Sequence, residues 1–438
     1  MGAKSVQPDP KVLVVGTTPD YIHWIRQGCP DQALFITDPL IRARAMEPPP
    51  SPGQEVLCDL SGYDRVRQAL ENHLSKYNQR LAGVACFDCE SMELAAVLAR
   101  RFSLPYPSVA AVGNCRNKYR SKILWQLQNL STPPVKLVHS EEEVIRFKKE
   151  LATPVVLKPL SGSGSELVFV CTDDEDCKQS YQQICSGLRQ RCNQRLYADF
   201  SLRAPEILAE GMVAGQEYSC DFAVQNGRCD VIRLTRKIRA SCGPFGTTRA
   251  YLLPVTLPAG MDDHRFSQTL IQSASALGID RAVCMLDFLM DGDRMVLLEL
   301  APRPGGDCLP FLLRRAYHLD MLKLQLDFAR QWPLRLDHRG KSNPLVGLRV
   351  HARQDGILKN IDTSALASDP RIREIHLPRR PGHKITLPPE DYDAWLLGHV
   401  IFAPDGNSVI EDQCRDLMNK IRVEVEHPKK DNLGHAIH

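Results

Sequence analysis

The chain runs to 438 residues, too many for one ordinary core, and its 43% hydrophobic and 24% charged content is that of a globular protein of two to four domains. A formal net charge of +3, with Lys and Arg spread along the chain, argues against a nucleic-acid footprint. The opening MGAKSVQPDP lacks an apolar signal core and no apolar run is long enough to cross a bilayer, so the expectation is a cytoplasmic protein without membrane or nucleic-acid partners.

Lys11 to Gly16 (KVLVVG) is a β-branched run ending at Gly, the pattern of a buried parallel strand feeding a turn. Gln32 to Thr37 and Leu81 to Phe87 read as two more such strands, with helical periodicity over Tyr63 to Asn78 and Glu90 to Phe102 between and after them. Met46 to Gly53, with four prolines, is a loop. The alternation predicts a small doubly wound α/β domain over about residues 1–112. Gly16-Thr17-Thr18 lacks dinucleotide-loop spacing and reads as a plain turn. Of fifteen cysteines, Cys86 and Cys89 form the one close CxxC pair; with no second pair at zinc spacing they read as reduced, packed thiols.

A basic amphipathic helix follows at Asn117 to Leu127, then a helix at Glu141 to Leu151. Pro154 to Pro159 (PVVLKP) is a short apolar strand carrying Lys158, whose ammonium must find an anion or reach water. Ser161, Gly162, Ser163, Gly164 and Ser165 come next; small residues there let backbone N–H groups approach an anion, though the same composition suits a flexible connector. Ile207 to Phe222 reads as strand, turn, strand with Glu210 and Glu217 around the turn. Val231 to Ile238 carries Arg233, Arg236 and Lys237 along a strand, and Ser241 to Gly246 is a Gly/Pro loop. His264 to Leu277 is a helix. Cys284 to Met290 and Met295 to Leu300 are then two short strands joined at Asp291-Gly292-Asp293, a tight hairpin. Asp287 and Glu299 lie on its two strands. Two carboxylates brought together call for a cation between them, while acids on the wet face of a half-exposed hairpin need none. From about residue 340 short strands and a helix at Val409 to Ile421 look like a separate α+β unit, and His351, His383 and His399 there read as surface or packed residues.

This ordered set resembles the ATP-grasp superfamily of carboxylate–amine ligases: basic helix, strand ending Lys-Pro, Gly/Ser loop, E-x-x-x-x-G-x-E at 210–217, then D…E-x-x-x-R-P-G-G ending at Gly306. In proportions it is most similar to L-amino-acid ligases, carnosine synthase and glycinamide ribonucleotide synthetase, with biotin carboxylase more distant. The resemblance implies an α/β and α+β chain: a Rossmann-like pre-ATP-grasp domain (1–112), an ATP-grasp domain of two α+β halves with ATP between them (113–338) and a small α+β cap (339–438). It also implies an ADP-forming enzyme that activates an acid, an amino acid among the nearest relatives, as an acyl phosphate and joins it to an amine. The same fold serves carboxylases and purine-pathway ligases, and a degenerate version could be a non-catalytic ATP-binding regulator.

Carried over residue by residue, Lys118 and Lys158 would hold the α- and β-phosphates, and Ser161 to Ser165 would close over the β- and γ-phosphates. Glu210, Gly211, Met212 and Val213 would form the hinge against adenine and Glu217 would bind ribose. Asp287 and Glu299 would ligate Mg²⁺ or Mn²⁺. Arg303 would stabilise the phosphoryl group, Gly305 and Gly306 would present N–H groups to a substrate carboxylate, and Lys237 would be a basic catalytic or phosphate contact. The partners implied are a small carboxylate and a small amine, and the relatives suggest a homodimer. One residue departs: the family reads E-x-N-x-R, and here Ala301 stands where an Asn would help ligate a second metal.

Overall fold

The computed structural model describes residues 9–200, 206–240, 243–336, 343–406 and 408–427. Ser241, at the head of the expected Gly/Pro loop, lies outside the described residues. The N-terminal unit contains β1 (Lys11–Val15), α1 (Pro19–Gly28), β2 (Ala33–Thr37), α2 (Pro39–Ala43), β3 (Glu55–Leu57), α3 (Tyr63–Lys76) and β4 (Leu81–Ala85). Its strands form a parallel sheet of order β3-β2-β1-β4. Every residue of β1 and β2 is buried, as strands covered on both faces require. Helices α4 (Met92–Arg101) and α5 (Val109–Arg116) complete the unit.

A second sheet follows. Helix α6 (Lys118–Leu127), β5 (Val135–Val138), α7 (Glu141–Leu151), β6 (Val155–Pro159), β7 (Phe169–Cys171), α8 (Asp174–Gln190) and β8 (Ile207–Gly211) form a unit whose antiparallel sheet runs β5-β8-β6-β7. Helix α8 begins where Asp173 accepts the Asp176 N–H and three acids fill the first turn, a charge arrangement that favours a helix N-terminus.

The remaining elements are β9 (Gln216–Gln225), β10 (Arg228–Arg239), β11 (Thr248–Leu253), α9 (Asp263–Ala276), β12 (Arg281–Asp291), β13 (Arg294–Ala301), α10 (Leu309–Tyr317) and α11 (Met321–Ala329). After them come β14 (Leu345–His351), β15 (Gly356–Asp362), β16 (Ile372–His376), β17 (Lys384–Ile385), β18 (Leu396–Phe402), α12 (Ile410–Asn419) and β19 (Arg422–Glu426). One sheet of order β13-β12-β9-β10-β11-β14-β18-β16 crosses the boundary expected at residue 338, because β11 pairs with β14. The C-terminal residues therefore extend the central sheet as well as forming their own small sheet, β17-β15-β19. Helices α10 and α11 fold back onto the N-terminal sheet, where Leu313, Leu322 and Leu326 share a core with Val12, Ile22 and Phe35. Gly83 is required by that approach: a Cβ there would lie 2.1 Å from the Ala329 carbonyl oxygen.

The central sheet has one apolar and one polar face. Cys220, Phe222, Leu286, Phe288, Leu297 and Leu300 point into a core closed by α9 and by Trp125 of α6. The period of two along the strands puts Glu217, Ser219 and Asp221 on the opposite face of β9. That face looks toward the β5-β8-β6-β7 sheet, and the candidate site lies between them.

Candidate functional site

The hairpin is tight, as the sequence suggests: Asp291 pairs with Arg294 and Gly292 takes a positive φ of 63°. In the register that this turn sets, Asp287 would face Leu298, and Glu299 would point to the other side of the sheet. A bulge between Asp287 and Phe288 shifts the register by one, so that Phe288 pairs with Leu297 and Asp287 with Glu299. The two acids thus become direct cross-strand neighbours on the polar face. The carbonyl of the bulged Leu298 receives the Lys122 ammonium at 2.7 Å.

Each acid meets a lysine. Lys118 Nζ lies 3.3 Å from Glu299 Oε1 and donates to the Gly162 carbonyl at 3.1 Å. Lys237 Nζ lies 2.9 Å from Asp287 Oδ2 and 2.5 Å from Glu217 Oε1, and Arg239 Nε is 2.9 Å from Glu217 Oε2. Burial would push the Glu217 carboxyl up, but Lys237 and Arg239 outweigh it and hold the group below its ordinary range. Burial likewise opposes ionisation of Glu299, and Lys118, Lys158 and Lys122 together keep it below the usual carboxylate range. Burial favours a neutral Lys237, yet Asp287 and Glu217 raise its pKa above that of an ordinary lysine.

Across the cleft, Glu210 is clasped by two lysines: Lys122 Nζ is 2.8 Å from Oε1 and Lys158 Nζ is 2.7 Å from Oε2. Lys122 is fully buried, which pushes its pKa down to about 8 against the pull of Glu210. The side chain of Glu210 is therefore taken up by the lysines. Gly211 and Met212 spend their N–H groups on the carbonyls of Pro134 and Pro154, both at 2.9 Å, so of the expected hinge these two have no N–H left for a base. Val213 lines the cleft with them. The loop Ser161 to Ser165 forms the roof, with Gly164 at φ 64° and open space where a Cβ would go. Ser165 Oγ donates to the Gly246 carbonyl at 2.9 Å.

Arg303 lies in the cleft wall and its guanidinium donates to the Cys89 thiol at 2.9 and 3.2 Å and to the Pro304 carbonyl at 2.7 Å. Gly305 requires a correction. Its N–H donates to Asp221 Oδ1 at 3.1 Å, and a Cβ there would come within 2.4 Å of Arg233 Nη2, so it anchors the loop and has no N–H left for a substrate. Gly306 does face the cleft. Asp221 and Arg233, both fully buried, form a bidentate pair at 2.8 and 2.9 Å.

These groups enclose a cleft of about 360 Å³ lined by Lys118, Lys158, Ser161 to Ser165, Glu210 to Val213, Glu217, Lys237, Asp287, Glu299, Arg303 and Gly306. A wider cavity of about 1300 Å³ adjoins it and shares Gly306 and Asp307. The wider cavity lies beyond the β1 and β4 carboxyl ends, among Thr17, Thr18, Asp88 and the C-terminal segment Asp391 to Leu396. At the junction Asp307 pairs with Arg349 of β14 at 2.5 Å.

Asp287 Oδ1 is buried and accepts no hydrogen bond, so one oxygen of the acid pair is left with a free lone pair toward a cation. Among the described residues no three His, Cys, Asp or Glu side chains converge on one point. Two protein carboxylates, with phosphate and water oxygens completing the shell, is the pattern Mg²⁺ favours, and the donor set fits it. Ala301 is 3% exposed and packs with Val112 and Met92 in the core of the N-terminal unit, so that position belongs to the domain contact.

Sequence reasoning missed Lys122, Asp221, Asp307 and Arg349. Lys122 follows Lys118 by four residues on a helix, which puts both on one face. Arg349 and Asp221 sit in apolar strands just as Lys158 does, and the reasoning applied to Lys158 would have found them.

Residues 151–310 match the ATP-grasp domain family. A curated relative, the uncharacterized protein y4rH of Sinorhizobium fredii, is 24% identical over 293 residues, 66% of this chain and 57% of that one. A D-alanine–D-alanine ligase of Acidovorax ebreus is 27% identical over 46% of this chain and 58% of its own length. The chain thus spans somewhat over half the length of these curated relatives, 57% and 58%. Among solved structures, an L-amino acid ligase from Bacillus licheniformis superposes with a TM-score of 0.73 at 17% identity, covering 96% of this chain and 99% of that one. A phosphoribosylglycinamide synthetase from Anaerococcus prevotii gives 0.63 at 18% identity over 96% and 100%. At these identities the likeness is one of fold, and the fold is ATP-grasp. Among the described residues no helix is long and apolar enough to cross a membrane.

Proposed function

We propose that the chain, whose fold is ATP-grasp and whose residues 151–310 match the ATP-grasp domain family, is an ADP-forming carboxylate–amine ligase, with the nucleotide in the smaller cleft and the acid and amine reaching it from the wider cavity. The observation that carries this reading is the directly opposed Asp287–Glu299 pair, with Asp287 Oδ1 buried and unpartnered, facing a wall of lysines and a Gly/Ser loop.

In this reading Asp287 and Glu299 would hold Mg²⁺, which would supply positive charge against the phosphates. Lys118 and Lys158, each at a carboxylate in the free protein, turn their ammonium groups to phosphate oxygens. The loop Ser161 to Ser165 supplies N–H groups and excludes water. The substrate carboxylate oxygen forms a bond to the γ-phosphorus as the bond to ADP breaks. The amine nitrogen then attacks the acyl carbon and phosphate departs, leaving the amide; the amine loses its proton to a carboxylate at the cavity junction, where Asp307 stands. Arg303 neutralises the transferring group, and the Asp307–Arg349 pair offers opposite charges to an ammonium and a carboxylate, a match to an amino acid. No nucleophilic side chain is needed, since positioning and charge neutralisation do the chemistry.

A screen of carboxylates, amino acids first, against amines with MgATP tests this by following ADP and phosphate together. Stoichiometric ADP and phosphate release that requires both an acid and an amine is expected. ATP binding with no pair raising turnover above background would remove the ligase reading.

A further inference from the structure

The residue after the Gly/Ser loop is tied to the C-terminal part of the chain through Arg191, beside a hydrogen bond between the Tyr392 side chain and the Leu167 backbone. Glu166 Oε1 accepts Arg191 Nε at 2.5 Å and Oε2 accepts the Tyr197 hydroxyl at 2.6 Å. Arg191 has a side chain 4% exposed, and all three of its guanidinium nitrogens donate: besides Nε, Nη1 donates to the Gly187 carbonyl at 3.1 Å, and Nη2 to the carbonyls of Pro389 and Glu390 at 2.6 and 2.9 Å. Those two carbonyls begin the segment that continues through Asp391, Asp393, Ala394 and Leu396, all of which line the wider cavity. Asp391 Oδ1 accepts the N–H groups of Asp393 and Ala394 at 2.8 and 2.9 Å, so this rim is a short hydrogen-bonded turn. Glu166 itself faces the nucleotide cleft, and its N–H donates to the Ser163 carbonyl at 3.2 Å.

One planar guanidinium thus holds the end of the phosphate loop on one edge and the rim of the other cavity on the other. The charged fork suits that task and a lysine ammonium does not, because the bonds diverge in the plane of the group. Closure of Ser161 to Ser165 over phosphates would carry Glu166 with it, and a shift of Glu166 either breaks its own bond to Arg191 or pulls on the contacts of Arg191 to Pro389 and Glu390.

On the nucleotide reading proposed above, we infer that Arg191 is a positioning residue that couples nucleotide closure of the 161–166 loop to the shape of the acceptor-cavity rim at 389–396. Binding in one cavity then changes affinity in the other, and the coupling is reciprocal.

Hydrogen–deuterium exchange with a non-hydrolysable ATP analogue and Mg²⁺ reads both segments in one experiment, with calorimetry confirming saturation. In the wild-type protein the nucleotide is expected to slow exchange in 161–168 and, by about fivefold or more, in 387–396. In Arg191→Met the first segment stays protected and the second remains within about twofold of its nucleotide-free rate. Arg191→Lys keeps the charge beside Glu166 and loses the fork, so its rim response falls between the two; it takes the reading if the methionine variant fails to fold. Nucleotide binding with an unresponsive wild-type rim, or an undiminished rim response in both variants, overturns the coupling alone. Absence of nucleotide binding to the wild-type protein overturns the functional reading and the coupling with it.

Discussion

Replacing Arg233 by methionine is the sharpest test of how the site is held up. Arg233 and Asp221 are both fully buried, and Asp221 also accepts the Gly305 N–H at 3.1 Å. Arg233→Met leaves a carboxylate in the interior without its cation, a loss of about 3–5 kcal/mol. The double variant Asp221→Leu/Arg233→Met removes both charges and leaves mainly the Gly305 N–H unmet, a loss of about 1–3 kcal/mol. The double variant should therefore be more stable than the single one by about 2 kcal/mol. Urea unfolding followed by circular dichroism, with Asp221→Leu completing the cycle, reads each difference from the midpoints at common slope. The reasoning fails if Arg233→Met costs under about 1 kcal/mol, or if the two single losses simply add in the double variant.

Glu299→Gln should leave the fold intact and weaken Mg²⁺-dependent nucleotide binding at least tenfold, about 1.4 kcal/mol by calorimetry; unchanged affinity would take Glu299 out of the metal site. Ala301→Asn should not tighten Mg²⁺ binding, because the 3%-exposed site lies in the domain core, and burying the amide should cost about 1–3 kcal/mol in thermal or urea unfolding; tighter metal binding would show that the position reaches the cleft. Burial, with His376 and Arg314 adding to it, lowers the His399 pKa to about 3, and burial with Arg349 and Arg249 lowers that of His351 to about 2. The unfolded chain takes up these protons near pH 6.5 and the folded chain only near pH 3, so stability is full above about pH 6.5 and falls below it, by about 2 kcal/mol per histidine at pH 5. His399→Phe should roughly halve that loss between pH 7 and 5, read from urea midpoints, and a pH dependence identical to wild type would contradict it.

Periodicity made the parallel strands of the N-terminal unit, the lysine-bearing β6 and the β12–β13 hairpin legible, because each is a local pattern closed by a turn. The same reading passed over α8, a 17-residue helix with an acidic first turn, and β11, whose pairing with β14 joins the central sheet to the C-terminal residues. Strand partners at that separation leave no mark in local pattern. At the site the two acids were legible, but their juxtaposition was not: it depends on the bulge between Asp287 and Phe288, and nothing in the hairpin sequence calls for an extra residue there. Gly305 shows the converse, since a motif glycine suggested a substrate contact where packing against Arg233 requires the missing side chain.

Titration of ATP into the protein, with Mg²⁺ and then with EDTA, bears most directly on the assignment of the cleft. One nucleotide per chain, competed by ADP and lost when the metal is removed, is the result expected if Asp287 and Glu299 hold Mg²⁺ beneath the Gly/Ser loop. No binding under either condition, or binding indifferent to EDTA, would contradict it.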